Sequence, residues 1–279
     1  MSTRRPGACD PQPRPAPSRV HFDPPLTRAR FLRRYKRFFA DVELEDGTTV
    51  VTHCPNTGSL RGCLVEGAPV LIKRAENPAR KLAWTWVAIE LDGVWVGVDT
   101  SRAEALVVDS LRAGVVPELS GYERVIQQVP YGRSGRSRVD IVLSRGGHAN
   151  ARVKKPRRGE AFVDDERVYV EVKNTTLIYD VRAGEEVSRR AAFPDAVTER
   201  GRKHLLELLD VVEKGQRAAI VFSVQRSDCE AFVPADAIDP AWSETLRTVV
   251  DQGVEAYALC GAMSPQGIAL DRRLEVVLS

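Results

Sequence analysis

Residues 167–174 read Arg-Val-Tyr-Val-Glu-Val-Lys-Asn. The alternation predicts a strand that sends Val168, Val170 and Val172 into the core and sets Tyr169, Glu171 and Lys173 together on its other face. A carboxylate and an ammonium two positions apart on one strand face can hold a divalent cation and a water side by side. The upstream run Ser-Arg-Val-Asp-Ile-Val-Leu (137–143) is read as a strand that buries Val139, Ile141 and Leu143 and turns Asp140 the other way. If the two strands pair antiparallel, Asp140 and Glu171 converge on one ion. Mg²⁺ or Mn²⁺ suits such a pair: Mg²⁺ takes oxygen ligands at about 2.0–2.1 Å and keeps several waters, so two carboxylates and a phosphate oxygen suffice.

That convergence depends on the elements around it. Beyond residue 100 the pattern is mixed α/β: a helix over 101–113, strands over 123–129, 138–143 and 168–175, and an amphipathic helix over 196–214. The long helix carries Leu205, Leu208, Leu209 and Val212 on one side, with Asp195 as expected N-cap and Gly215 as C′ residue. A buried strand (217–224), a helix (240–252) and a final strand pair follow. A helical crossover places the 217–224 strand parallel to the 168–175 strand. Asp…Glu-x-Lys in a strand–strand–helix setting is the signature of the PD-(D/E)xK nuclease fold. A solvent-facing Glu-x-Lys pair on an ordinary strand produces the same letters.

Residues 28–100 are punctuated differently. Five strand-like runs (33–44, 48–54, 68–73, 82–91 and 94–99) are separated by turns carrying Asp46-Gly47, Gly67 and Asp92-Gly93. Five short strands in that length suit a small closed barrel, the oligonucleotide-binding (OB) design. The expected chain is therefore a two-domain α+β protein. It has a Pro/Arg-rich tail over 1–25, a five-stranded OB barrel over 26–100, and an α/β nuclease-like domain with a mixed sheet over 101–279.

Composition sets the outer limits. With 279 residues, 43% hydrophobic and 28% charged, the chain can bury a core and keep a polar surface, which excludes disordered, collagen-like and coiled-coil classes. The longest apolar run, 82–91, is interrupted by Thr85 and falls short of a membrane span. The first residues hold arginines but no apolar core of a secretory signal. A soluble cytoplasmic protein is expected, without a membrane partner. The five cysteines are scattered and form no CxxC pair, so reduced buried thiols are expected rather than a zinc site or a disulfide framework. Net charge is only +3, yet residues 26–40 hold six basic and no acidic residues, and a second basic cluster lies within 152–158. Local clustering of this kind suits a polyanion.

The runs RRYKRFFADVEL, HCPNTGSL, RKLAWTWVAIE, YGRSGRSRVDIVL, YVEVKNTTL and FPDAVTERGRKHLLEL resemble the sugar fermentation stimulation protein A (SfsA) family over about residues 28–260. The resemblance implies an OB domain followed by a PD-(D/E)xK-like domain. It also implies DNA binding without marked sequence preference and a link to the regulation of sugar, particularly maltose, metabolism. The family's motif falls on Asp140, Glu171 and Lys173. The carboxylates would hold the metal, and Lys173 would orient or help deprotonate the attacking water and offset transition-state charge. Gln225 is expected near the same sheet edge, either touching metal-bound water or phosphate or simply ending its strand. Arg200 and Lys203 are expected to line a DNA groove at the start of the long helix. His204 is read as a helix-face histidine rather than a general base. The basic link 145–167 is longer than expected for a hairpin, and loosens the register between the two carboxylate strands.

In the barrel, Arg33, Arg34, Lys36 and Arg37 interleave with aromatics, a pattern for phosphate tracking and base stacking. Trp84 and Trp86 share a strand face with Glu90 and are read as outward stacking platforms, with burial against the second domain as the alternative. Two functions remain open: a Mg²⁺-dependent nuclease, towards which the intact motif leans, and a non-catalytic DNA-binding regulator that keeps the fold as a scaffold. The sequence leaves the oligomeric state open, a homodimer included.

Overall fold

A computed structural model of the chain describes residues 19–132, 137–145, 166–183 and 186–279. The tail up to residue 18 and nearly all of the basic link lie outside the described residues. Residues 20–25, assigned to the tail from their prolines, are part of the fold. Strand β1 (Val20–His21) pairs antiparallel with a later strand, and Phe22 is buried at 5% exposure with the Arg102 guanidinium over its ring.

Strands β2 (Thr27–Tyr35), β3 (Phe39–Leu44), β4 (Thr49–His53), β5 (Pro69–Arg74) and β6 (Trp84–Leu91) form the expected five-stranded OB barrel. The order is β4-β3-β2-β5-β6, closed by a parallel contact between β4 and β6. Strand β7 (Val94–Gly97) folds back on β6 through the Asp92-Gly93 turn. The single run read over 33–44 is in fact a hairpin. Lys36 and Arg37 adopt φ of 48° and 62°, a left-handed turn that residue type did not signal, since Lys and Arg rarely make one.

Trp86 departs from the outward position expected of it. It is fully buried inside the barrel, stacked 5.0 Å from Phe31, and its indole N–H donates to the Ala88 carbonyl. Leu71 pairs with Ala88 and Ile72 with Trp86, so Val87 is an extra, bulged residue on β6 that upsets simple alternation. Trp86 and Ile89 therefore point into the barrel, while Val87 and Ala88 point out of it. Trp84 is half-buried on the rim, under the Arg74 guanidinium.

The second domain starts with α1 (Ala103–Arg112), followed by β8 (Arg124–Tyr131), β9 (Ser137–Ser144), β10 (Arg167–Thr175), β11 (Leu177–Ala183) and β12 (Glu186–Phe193). Then come α2 (Glu199–Glu213), β13 (Arg217–Val224), β14 (Ala231–Pro234), α3 (Pro240–Asp251), β15 (Glu255–Cys260), β16 (Met263–Ser264), β17 (Gly267–Ile268) and β18 (Arg272–Val276). Nine of these strands make one mixed sheet, ordered β11-β12-β14-β18-β15-β13-β10-β9-β8, while β1, β17 and β16 form a small separate ribbon. As expected from the crossover rule, β10 and β13 are parallel. The hairpin β11–β12 escaped the sequence reading because its arginines, Glu and Ser break any apolar alternation. The N-cap of α2 is Thr198, whose hydroxyl accepts the Gly201 N–H, and not Asp195, which is committed elsewhere.

Helix α1 covers one face of the sheet, and α2 and α3 cover the other. The α1-side core also takes in Leu71, Val87 and Ala88 of the barrel, so the two domains share apolar packing. The junction is close at Gly97, whose N–H donates to the Gln225 carbonyl. A Cβ on Gly97 would lie 2.4 Å from Gln225 Oε1 and 2.7 Å from its Cβ. Gly97→Ala is accordingly expected to lower stability by about 1–3 kcal/mol, the usual cost of overpacking. Urea unfolding reads this directly; an unchanged midpoint would mean that Gln225 swings clear without cost.

Candidate functional site

Strands β8 and β9 pair with constant register, yet both exchange faces at Gln128 and Asp140, which lie opposite one another. Ile126 and Val142 pack on the α2 side, and so do Val129 and Val139 beyond the exchange. Ile141 and Leu143 pack on the α1 side, so Val139 does not share their face as straight alternation predicted. Gln128 supplies the kink with φ of 56°. Pairing between β9 and β10 ends at Val170 opposite Ile141. Beyond that point Asp140 Oδ2 accepts the Val172 N–H at 2.7 Å, so a carboxylate takes up a strand donor where the ladder stops.

Glu171 is on the strand face covered by α2 and is 2% exposed, not solvent-facing. Its Oε1 accepts from Lys173 Nζ at 2.6 Å and lies 2.5 Å from His204 Nδ1, while its buried Oε2 has no hydrogen-bond partner among the described residues. His204 Nε2 is 3.4 Å from Arg200 Nε. Asp140 Oδ1 accepts from Gln128 Nε2 at 3.2 Å, and the same amide donates to Glu104 of α1 at 2.7 Å. Burial, then the neighbouring Glu171 charge, pushes the Asp140 carboxyl up to about 6, against the pull of the Val172 N–H and Lys173. Burial also pushes Glu171 upward, but Lys173 and His204 together outweigh it and hold the carboxyl below its ordinary value. One carboxylate is thus kept charged beside another that resists charging.

These groups lie in a cleft of about 1050 Å³ between the domains. Its barrel wall is Arg34, Arg37 and the loop from Asn56 to Ser59; its other wall is the segment from Ala192 to Thr198 with Arg200, Lys203 and His204. The walls are tied directly. Ser59 Oγ donates to the Asp195 carbonyl at 2.7 Å, and Leu60 N–H donates to Asp195 Oδ2 at 2.9 Å. Gly58 leaves no room for a Cβ, which would stand 2.8 Å from Asp195 Oδ2.

The chemistry of the donor set fits a hard cation: two carboxylates beside one another, one with an unpartnered buried oxygen. Among the described residues no group of three or more His, Cys, Asp or Glu side chains is placed to hold an ion. Any cation would therefore complete its shell with water or substrate oxygens.

Comparison with known proteins agrees with this architecture. Residues 101–267 match the family model described as the sugar fermentation stimulation protein RE domain, and residues 32–98 match the SfsA N-terminal OB domain. The chain belongs to the sugar fermentation stimulation protein family. A homolog from Pelobacter propionicus is 47% identical over 91% of this chain and 99% of its own length. One from Geotalea daltonii is 44% identical over 93% of this chain and 100% of its own. The solved structure of Pyrococcus furiosus SfsA in complex with Ca²⁺ superposes with a TM-score of 0.72 at 25% identity, covering 94% of this chain and 99% of that one.

Within this family member, Asp140, Glu171 and Lys173 come together as the motif requires, and Arg34, Arg37, Arg200 and Lys203 line the same cleft. Arg33 is turned away, paired with Asp41 and lying over Tyr35, and Lys36 is exposed on the hairpin turn outside the cleft lining. Gln225 is a correction: at 1% exposure, donating to Asn174 Oδ1 and packed on Gly97, it does not line the cleft, and it supports Asn174 rather than reaching a ligand. His204 was undervalued by sequence reasoning. The signal was present, since it shares the i, i+4, i+7 stripe with Leu208 and Val211, the face that packs on the sheet. Gln128 and Glu104 carried no signal at all.

The raised Asp140 carboxyl fixes the sign of a pH effect. Stability associated with a raised carboxyl is fully present below its unfolded value, 3.8, and is lost as pH rises through about 6. Asp140→Asn lacks that loss. In EDTA, the variant's stability relative to the parent is expected to improve by about 1–3 kcal/mol between pH 4 and pH 7. Parallel pH–stability curves for the two proteins would show that Asp140 titrates as an ordinary surface carboxylate.

Proposed function

We propose that the protein binds DNA in the interdomain cleft without marked sequence preference and hydrolyses phosphodiester bonds there with a divalent cation. The observation that carries this reading is Glu171: a buried carboxylate with an unpartnered Oε2, beside Asp140, on the floor of a cleft lined by Arg37, Arg138, Arg200 and Lys203. Asp140 and Glu171 would hold Mg²⁺ or Mn²⁺, which supplies charge stabilisation at the phosphate and a more acidic bound water. The Ca²⁺ in the Pyrococcus furiosus relative is a cation of the same oxygen-seeking class.

The chain's own residues have separable tasks. His204 and Lys173 fix Glu171 through Oε1, which leaves Oε2 as the free ligand oxygen. Lys173, 15% exposed at its side chain, keeps a positive charge at the reacting phosphate. Arg200 and Lys203, in the first turns of α2, and Arg37 across the cleft neutralise flanking phosphates and position the strand. The N-terminal end of α2 adds its dipole in the same sense.

A second reading is favoured by the same ion pair. Lys173 neutralises Glu171 at 2.6 Å without any metal, as expected of a DNA-binding regulator of sugar metabolism that keeps the fold as a scaffold. A panel of single-stranded, duplex, flapped and branched DNA and RNA, tested with Mg²⁺ or Mn²⁺, separates the two. The nuclease reading expects metal-dependent cutting that falls at least about 100-fold in Asp140→Asn and Lys173→Met, while both variants still bind DNA. Binding that ignores EDTA, with no substrate cut, would replace it with the regulator.

A further inference from the structure

The hairpin tip between β2 and β3 is built at some cost to its backbone. Lys36 and Arg37 both stand in the left-handed region, which residues with a Cβ other than Asn and Asp rarely enter. Arg34 holds the tip in place. Its Nε donates to the Arg37 carbonyl at 3.1 Å, its Nη2 lies 2.9, 2.8 and 2.9 Å from the carbonyls of Arg37, Asn56 and Gly58, and its Nη1 donates to the Ser59 carbonyl at 3.2 Å. Because Ser59 and Leu60 are tied to Asp195, the tip is fixed relative to the opposite wall of the cleft. The peptide of the next residue, Phe38, is fixed as well: its N–H donates to Lys36 and its carbonyl accepts from Cys54.

What this rigid tip presents is unusual for a surface meant only for phosphates. Arg37 lines the cleft; Phe38, the next residue along the tip, stands just outside that lining at 48% exposure, the one exposed Phe, Tyr or Trp among the described residues. It has no ring partner there, whereas the adjacent Phe39 stacks on Tyr35 at 5.6 Å. On the far lip, Val197 lines the cleft at 72% exposure. Apolar groups gain nothing from a phosphate backbone, but an aromatic face is a platform for a base whose own face is open. In a duplex the base faces are hidden within the stack.

The geometry points to a specific substrate class: Phe38 stacks on an unpaired base of a DNA strand whose phosphates are held by Arg37, so that the cleft takes single-stranded or locally unpaired DNA in preference to intact duplex. This rests on the cleft being the DNA site, as proposed above. Arg37 provides the charge, Arg34 provides the rigidity, and Phe38 and Val197 provide the discrimination between paired and unpaired bases.

Fluorescence anisotropy of a labelled oligonucleotide, single-stranded or annealed to its complement, tests this with the full chain in Ca²⁺. The parent protein is expected to bind the single strand more tightly. Phe38→Ala should weaken single-strand binding by roughly 5- to 150-fold, the range that one stacked base is worth, and leave duplex binding unchanged. Phe38→Trp should restore it, with indole emission quenched by the single strand. Arg37→Ala should weaken both forms. Because Phe38 is exposed, unfolding midpoints of these variants confirm that the fold is intact. Equal single-strand affinity in Phe38→Ala and parent, or an equal loss on duplex, would overturn the role of Phe38 while leaving the cleft reading in place. A parent protein that binds neither form would overturn the cleft reading, and this inference with it.

Discussion

A carboxylate that is 2% exposed at the centre of a sheet is the constraint around which this molecule is arranged. Removing a charged carboxylate from water costs several kcal/mol unless partners replace its hydration. Glu171 receives two partners, Lys173 from its own strand and His204 from α2, and both go to the same oxygen. The second oxygen is left without one among the described residues. Asp140 is then brought beside it on a neighbouring strand, which makes ionisation of Asp140 harder still. A fold optimised for stability alone would place an apolar residue at either position. A buried Glu171 with an oxygen unpartnered among the described residues, beside a half-buried Asp140, is the arrangement on which the proposed cation site rests.

The surrounding architecture serves that arrangement. The face exchange at Gln128 and Asp140 ends the β9–β10 ladder where the cleft begins. Thr198 caps α2 so that its first turns, with Arg200, Lys203 and His204, open onto the site. Asp195, released from capping, instead ties the second domain to the barrel loop through Leu60 and Ser59. The barrel in turn contributes Leu71, Val87 and Ala88 to the other domain's core, and Gly97 admits Gln225 where a larger residue would not fit. The cleft is therefore a product of both domains, tied across by hydrogen bonds and shared apolar packing.

Much of this was legible in the sequence. The OB barrel, the mixed sheet and the parallel crossover follow from local periodicity, turn residues and one chirality rule, and the family resemblance pointed to Asp140, Glu171 and Lys173. What was not legible depends on register. Trp86 faces inward because its own strand bulges at Val87, and Val139 and Ile141 part company at a kink that no glycine marks. The Lys36–Arg37 turn is imposed by carbonyls that Arg34 gathers from a distant loop, so its own residues give no sign of it. Gln225 stands near the sheet edge as its position implied, but a buried amide bonded to Asn174 cannot touch solvent or ligand. His204 stands in the buried stripe of α2, and there a polar side chain is a sign of a polar partner.

Thermal unfolding of the full chain against rising Ca²⁺ or Mn²⁺, for the parent and for Glu171→Gln, tests most directly that this carboxylate pair is a cation site. A ligand at free concentration L that is bound only by the folded state stabilises it by RT ln(1 + L/Kd), so Tm goes on rising with the logarithm of concentration above Kd. The parent's Tm should climb with either ion, rising with the logarithm of its concentration above Kd, and the Glu171→Gln curve should stay flat. A parent Tm indifferent to both ions, or an equal rise in the two proteins, would contradict the account.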